Sequence, residues 1–362
     1  MSTPRFTASS SGNQPTSRDV ADRAGVSRTA VSFAYNNPSR ISEETRQRIL
    51  QAANDLGYTP NPMAQMLKRG KSGTLGVLLP QAIPAIMQNP YYGQFLTGLG
   101  EVCDREGMTL LLCPPLRNSM LKAIPYAAVD GFIVTGLESD RGEVEELRRR
   151  GIPFVLVDSE PLPGVPRVDT DDELGAFNLV QHLLQLGHRH VTFVLFEGGP
   201  DAQTLGYRGP LGLRIEGFKR ALAAYDLTLE SPGIQVMEAP CTRQGGLEIG
   251  RHILSAPNPP TAIIATSDIM AIGIMEAARI LEVAIPAQLS VAGFDDQPEA
   301  QWTYPALTTV RQSTETKGHR AGDFLVAEIQ GRDNHPTQTI QTTLITRGST
   351  GPVPSTPAPG QA

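Results

Sequence analysis

The sequence predicts a small all-α module containing a helix-turn-helix, followed by a larger α/β domain built from two doubly wound parallel-sheet subdomains. Three observations carry that expectation. Residues 16–58 hold three short helical segments, each opened by a Thr or Ser and two of them closed by Gly. From residue 73 onward, near-continuous apolar runs alternate with helical segments, the signature of parallel strands covered on both faces. Those runs fall into two clusters, one before about residue 165 and one after it. A length of 362 residues exceeds what one small core serves.

Taken in order, residues 1–15 are polar and rich in Ser, Thr, Pro and Gly, and are expected to be a disordered tail. Thr16 caps a first helix, with Asp19 three residues on as a variant capping box. Gly25 supplies the turn, because glycine reaches a left-handed backbone without penalty. Ser27 caps a second helix to about Tyr35. Ser42 caps a third, with Glu43 and Glu44 at the positive end of its dipole and Gly57 at its close. Val20, Ala21, Val26, Val31, Ile49, Leu50 and Ala53 are the expected core of this module, residues 16–59.

Residues 60–72 are expected to be a linker carrying a short helix. Asn61 can cap it and Pro62 suits its first position. Two turns are unstable alone, so it needs a partner to fold; a plain linker with helical propensity is the alternative. The expected strands are TLGVLLP (74–80), MTLLLC (108–113), GFIVTG (131–136), PFVLVDS (153–159), HVTFVLF (190–196), TAIIATSD (261–268) and LSVAGFDD (289–296). Helices are expected near 91–106, 141–150, 173–186, 211–224, 242–255 and 269–282. The domain is placed at 73–348, its subdomains at about 73–170 with 302–330 and 171–301 with 331–348. The Pro-rich stretch 349–362 is expected to be a second disordered tail.

Composition narrows the class. Residues 16–71 hold nine cations and five anions, a net +4, while the whole chain is -6 and the remainder therefore -10. A basic module on an acidic body is the electrostatic layout of a modular nucleic-acid binder. No run of about 18 apolar residues exists, so no membrane span is expected. The first residues lack an apolar core, so no secretion signal is expected. Three scattered cysteines suit reduced thiols rather than a disulfide framework or zinc site. No nucleophile elbow, phosphate loop or dinucleotide fingerprint appears, so neither an enzyme nor a cofactor is expected.

Two constellations carry chemistry. In TSRDVADRAGVSRTAVSFAYNN (16–37), the second helix projects Arg28, Thr29, Ser32 and Phe33 outward if Val31 and Ala34 face the core. Such a helix can enter a major groove, with Arg28 suited to a guanine edge and Phe33 to a thymine methyl. A plain helical domain with a solvated basic face is the equal alternative from these residues alone. Ligands of doubly wound sheets bind beyond the carboxyl ends of the strands, and the second constellation, of carboxylates, an arginine and aromatics there, is one that a family resemblance implies. Carboxylates accept hydroxyl protons, a guanidinium donates as a fork, and an aromatic face packs a ring.

DVA (19–21), AGVS (24–27), VS (31–32), ISEETRQRI (41–49) and LGYTPN (56–61) together resemble the lactose/galactose-repressor family of bacterial transcription regulators. The likeness continues through NPYYGQFLTGL (89–99), DGFIVTG (130–136), LGHRHVTFV (186–194), RIEGFKRAL (214–222), SDIMAIG (267–273), LSVAGFDD (289–296) and PALTTVRQ (305–312). The resemblance implies a periplasmic-binding-protein-like effector domain, and a homodimer on a pseudo-palindromic double-stranded operator. DNA contacts fall on Thr16, Ser27, Arg28, Thr29, Ser32, Phe33, Asn36, Asn61, Ala64 and Leu67, the last as a minor-groove wedge from the hinge helix. Effector contacts fall on Tyr91, Tyr92, Asp171, Arg214, Ser267, Asp268 and Asp295, with one of the two tyrosines expected in the core and Asp268 possible as a simple helix cap.

The implied effector is a small molecule, a sugar or sugar derivative first, with purines open. The implied protein is a repressor in the bacterial cytoplasm, on the nucleoid when bound to DNA. Ala30 stands where the family often has Thr, Ser267 where it often has Asn, and Phe33 departs from the lactose repressor's arginine, so no known operator is carried over. A periplasmic solute-binding protein, which shares the two-subdomain fold, would need a secretion signal and no helix-turn-helix. His182, His188 and His190 lack a standard zinc spacing, and no metal is assigned.

Overall fold

The computed structural model describes residues 15–60, 66, 70–137, 142–198, 206–332 and 337–354. The chain divides between Ser72 and Gly73 into two compact units.

The first unit is three helices, α1 Ser17–Ala24, α2 Arg28–Asn36 and α3 Glu43–Leu56. Each begins where a hydroxyl satisfies open backbone amides. Thr16 accepts from Asp19 N while Asp19 Oδ2 accepts from Thr16 N at 2.7 Å, a complete capping box. Ser27 accepts from Ala30 N and Ser42 from Thr45 N, both at 3.2 Å. Gly25 and Gly57 end α1 and α3 at φ 65° and 64°, where a side chain would be strained. The core is Val20, Ala21, Ala24, Val31, Ala34, Ile49, Ala52 and Ala53. Leu50, expected in that core, is only half-buried, and Val26 packs at its margin. The small residues Ala24, Ala34 and Ala52 take the space, letting three short helices approach closely.

The second unit holds two six-stranded sheets. The first is built from β1 Thr74–Leu78, β2 Thr109–Cys113, β3 Gly131–Thr135, β4 Phe154–Val157, β5 Arg167–Thr170 and β11 Thr337–Ile340. Their spatial order is β11-β5-β4-β3-β1-β2, and all pairs are parallel. The second sheet holds β6 Val191–Phe196, β7 Ile234–Ala239, β8 Ala262–Ala265, β9 Ser290–Asp295, β10 Thr308–Arg311 and β12 Thr343–Ile345. Its order is β12-β10-β9-β8-β6-β7, with β12 antiparallel to β10 and the rest parallel.

Helices cover both sheets. In chain order they are α4 Ile83–Ile86, α5 Pro90–Glu106, α6 Glu143–Arg149, α7 Asp172–Gln185, α8 Gly209–Ala223, α9 Arg243–Leu254, α10 Asp268–Ile280, α11 Pro298–Trp302 and α12 Thr314–Ile329. Three helix pairs pack backbone to backbone through glycine. An added Cβ on Gly98 of α5 would lie 1.9 Å from Glu315 O of α12. One on Gly217 of α8 would lie 2.3 Å from Glu173 O of α7, and one on Gly246 of α9 would lie 2.1 Å from Met270 O of α10.

Two expectations about the partition are corrected. Residues 302–330 were assigned to the first subdomain, yet β10 lies in the second sheet beside β9. Only α12 of that stretch packs against the first, over β3, β4 and β5. Residues 331–348 were assigned to the second, yet β11 joins the first sheet beside β5. The chain therefore crosses between subdomains after β5, after β10 and between β11 and β12. A parallel strand's partner is set by long-range register, which short Thr-rich runs such as TTVR and TQTI do not encode locally.

The expected tail from 349 is also corrected for its first residues. Ser349 is fully buried: its hydroxyl donates to Val291 O at 2.6 Å and accepts from Thr308 N at 2.8 Å. Val353 N donates to Leu186 O at 2.9 Å. Two histidines help hold this segment. His182 Nε2 meets Thr350 Oγ1 at 3.0 Å, and His188 Nε2 donates to Gly351 O at 3.0 Å. Burial lowers the pKa of both rings below the ordinary histidine value. Their contribution to stability is therefore complete above about pH 6.5 and declines as pH falls and the unfolded chain takes up protons first. In thermal melts between pH 7.5 and 5, His188→Gln should show a flatter loss of Tm than the parent; parallel curves would refute the assignment.

Candidate nucleic-acid interface and effector cleft

Helix α2 presents a continuous outer face. Val31 and Ala34 are buried, Arg28 and Thr29 are exposed, and Ser32, Phe33 and Asn36 are half-exposed. The guanidinium of Arg40 sits over the Phe33 ring at 5.6 Å, and Asn36 Nδ2 donates to Ser32 O at 3.0 Å. The hydroxyls of Thr16 and Ser27 are engaged as helix caps at the amino ends of α1 and α2. Helix N-termini offer amides and positive dipole ends to a phosphate backbone. Arg28 and Thr29 form the first turn of α2, the part of such a helix that reaches base edges.

In the second unit, polar side chains converge beyond the carboxyl ends of the strands, the place doubly wound sheets reserve for ligands. Asp295 ends β9 at φ 128°, a backbone strained for a non-glycine residue. Its carboxylate accepts from Ser267 Oγ at 2.8 Å, from Gln297 Nε2 at 3.1 Å and from Gln312 Nε2. Arg214 of α8 is buried, with Nε on Asp172 Oδ1 at 2.8 Å and Nη1 on Thr266 O. Its guanidinium stacks over Phe294, 3.7 Å from the ring centre.

Across the cleft, Asp158 follows β4 and Lys317 lies on α12. Lys317 is fully buried, with Nζ 2.6 and 2.8 Å from the two Asp158 oxygens, 2.8 Å from Gln312 Oε1 and 3.3 Å from Tyr91 Oη. Tyr91 in turn donates to Asp158. Gln312 thus receives from the first subdomain through Lys317 and donates to Asp295 of the second. Asn89, at the head of α5, accepts from Gln297 Nε2 at 3.0 Å and donates to Cys241 Sγ at 3.7 Å.

This polar set is desolvated. Burial pushes the Asp295 carboxyl up, opposed by Arg214 and by its hydrogen bonds to Ser267 and Gln312. Burial also pushes Asp268 well above the ordinary range, reinforced by the nearby charge of Asp295. Burial and the Asp158 charge raise the Tyr91 phenol, which stays a donor. Among the described residues, no group of three His, Cys, Asp or Glu is placed to hold a metal, and the three cysteines are free thiols.

A family model described as "Bacterial regulatory proteins, lacI family" matches residues 16–61, and one described as "Periplasmic binding protein-like domain" matches 180–350. The HTH-type transcriptional regulator DegA of Bacillus subtilis (strain 168) is 31% identical over 309 residues, covering 83% of this chain and 87% of DegA. The chain belongs to the LacI family of bacterial regulatory proteins. This LacI-family member is a DNA-binding transcription regulator, not an enzyme. The solved complex of the transcriptional regulator CelR with cellobiose is 26% identical, with a TM-score of 0.67 over 92% of this chain and 99% of that one. The lac repressor dimer bound to operator and an anti-inducer has the same fold, with a TM-score of 0.78 and 24% identity over 94% of this chain and 100% of that one.

The LacI-family regulator places its expected site residues unevenly. Arg214, Ser267, Asp295 and Tyr91 converge in the cleft. Tyr92 packs against the apolar core of the first subdomain, meeting Tyr91 edge-on at 5.2 Å, with its phenol near Cys241, Asp158 and Asp295. Asp171 caps α7 by accepting from Leu174 N at 3.3 Å, and its neighbour Asp172 takes the Arg214 contact instead. Asp268 is fully buried, accepting from Gln297 N at 2.8 Å and Thr309 Oγ1 at 2.5 Å. It ties the head of α11 to strand β10, and a Cβ on Gly293 would lie 2.2 Å from its Oδ1, which explains glycine within GFDD. Asn61, Ala64 and Leu67 lie outside the described residues.

Asp158, Asp172, Gln297, Gln312, Lys317 and Asn89 escaped the sequence reading. A signal existed for Asp158, a charge directly after the apolar run PFVLV, and for Gln312, which ends the quoted PALTTVRQ. Lys317 carried none: a lysine in a polar-looking helix reads as solvated until α12 is packed under the cleft.

Proposed function

We propose that this protein is a repressor that binds a pseudo-palindromic operator as a homodimer and is released or recruited by a sugar bound between its two subdomains. The single observation that carries the DNA half is the outward face of α2, with Arg28 and Thr29 exposed on its first turn. One such helix spans too few base pairs for a specific site, and a two-fold pair in successive major grooves supplies the rest. Asn61, Ala64 and Leu67 are assigned to a hinge segment that enters the minor groove between them. Thr16, Ser27, Ser32, Phe33 and Asn36 border the DNA-facing surface. Its place of work is the bacterial cytoplasm, on the nucleoid when bound; among the described residues no helix is long and apolar enough to cross a membrane.

The cleft supports the effector half. Arg214 and Asp295 bring a guanidinium and a carboxylate, and Phe196 and Tyr91 bring rings, a set suited to a polyhydroxylated ring. The cellobiose seated in CelR accords with this reading. Gln312 links Asp295 to Lys317 and Asp158 across the subdomains, so occupancy of the cleft bears on their relative position. Coupling of about 1–3 kcal/mol would change operator affinity roughly 5- to 150-fold.

Two measurements test the reading. A thermal-shift screen of sugars and nucleosides should find a sugar that raises Tm, since a ligand at a hundred times its Kd adds about 2.7 kcal/mol of stability. A screen in which only nucleosides act would overturn the sugar assignment. In mobility-shift titrations on a selected operator, Arg28→Ala should cost about 1–3 kcal/mol and relax preference at one base pair per half-site. Equal loss on random DNA would reduce Arg28 to a phosphate contact.

A further inference from the structure

Gln297 opens α11 at the seam of the two subdomains and is fully buried. Its backbone N donates to Asp268. Its Nε2 donates both to Asn89 Oδ1 and to Asp295 Oδ2, at 3.0 and 3.1 Å. Its Oε1 is buried and accepts nothing. The amide cannot be reversed to cure this, because the carbonyl oxygen would then face the Asp295 carboxylate. A buried acceptor left without a donor is costly, so the site lacks one hydrogen-bond donor at this point.

The donor side chains around it are directed at other acceptors. Lys317 Nζ is spent on Asp158, Gln312 and Tyr91. Ser267 Oγ and Gln312 Nε2 are spent on Asp295. Arg214 is held by Asp172 and Thr266 O. Charge points the same way. The carboxyl groups of Asp158, Asp172 and Asp295 gather here against Arg214 and Lys317, and each of those two cations is already paired with a carboxylate.

We infer that Gln297 contacts the effector, accepting through Oε1 a hydrogen bond from one of its hydroxyl or ammonium groups, and that the effector is a neutral or amino sugar rather than a sugar phosphate or uronate. A phosphate or carboxylate brings acceptors and negative charge to a place already rich in both. A hydroxyl or ammonium brings the missing donor. This inference rests on the cleft being the sugar site proposed above.

The test is calorimetric titration of the full chain with matched sets: glucose, glucosamine, glucuronate and glucose 6-phosphate, with the corresponding ribose and galactose sets and cellobiose. In whichever set binds, the neutral or amino member should bind at least tenfold tighter than its uronate or phosphate. Gln297→Met, shown by circular dichroism to be folded, should weaken that sugar about tenfold. Gln297→Glu keeps an acceptor and adds a charge, and should shift preference toward the amino sugar. A uronate or phosphate that binds as tightly as its neutral parent overturns the inference while leaving the sugar reading intact. Unchanged affinity in folded Gln297→Met overturns the contact. Binding of adenosine or guanosine with no sugar bound in any set overturns the sugar reading, and the inference with it.

Discussion

Replacing Lys317 with alanine is expected to destabilise the effector domain by about 3–5 kcal/mol, the cost of leaving a buried partner charge uncompensated. The lysine side chain is 0% exposed and that of Asp158 15%. Without the ammonium, Asp158 keeps only the Tyr91 hydroxyl as a described donor, and Gln312 Oε1 keeps only a 3.4 Å contact from Thr170. Urea unfolding followed by circular dichroism reads the loss, and a change under about 1 kcal/mol would show that the pair is not desolvated. The double variant Lys317→Met with Asp158→Leu should recover most of the stability, since an apolar pair of similar volume avoids the desolvation penalty. It should not recover allostery, because Gln312 would keep only the long 3.4 Å contact from Thr170 to the first subdomain.

Gly318→Ala is expected to cost about 3 kcal/mol, at the upper end of the overpacking range. An added Cβ would lie 2.0 Å from Phe95 O and 2.9 Å from Phe95 C. Both are backbone atoms of α5, so no rotamer change relieves the clash and the two helices must separate. Separation also moves Gly98, where an added Cβ would lie 1.9 Å from Glu315 O. Lys317 precedes Gly318, so the same shift pulls the ammonium away from Asp158. A loss of Tm together with weaker effector binding is therefore the expected pair of results; a variant as stable as the parent would mean that the crossing is looser than the structure has it. Gly100, on α5 with nothing near its Cβ, is the control and should tolerate alanine.

The helices of the first unit could be read residue by residue because their signals are local. A cap, a turn glycine and an apolar spacing act within four or five residues, and Thr16, Gly25, Ser27, Ser42 and Gly57 do what their chemistry permits wherever they stand. The long apolar strands were legible for the same reason: VTFVLF and GFIVT have to be covered on both faces. Short strands were not. TTVR and TQTI exchange sheets relative to expectation because their partners, β9 and β5, are fixed by the path of the whole chain. The cleft divides along the same line. Arg214 and Asp295 were marked by the family resemblance, in RIEGFKRAL and LSVAGFDD, whereas the choice of Asp172 over Asp171 turns on a single helical step.

The chain by itself determined its helix ends, its strand cores and the outward residues of α2, since each depends on covalent neighbours and on water. Tertiary structure alone decided which strands pair, why Lys317 is dry, and why Gln297 holds an unanswered oxygen. Those follow from segments 159 to 208 residues apart meeting in one low-dielectric seam, where a polar atom's partners are chosen by geometry rather than by sequence distance.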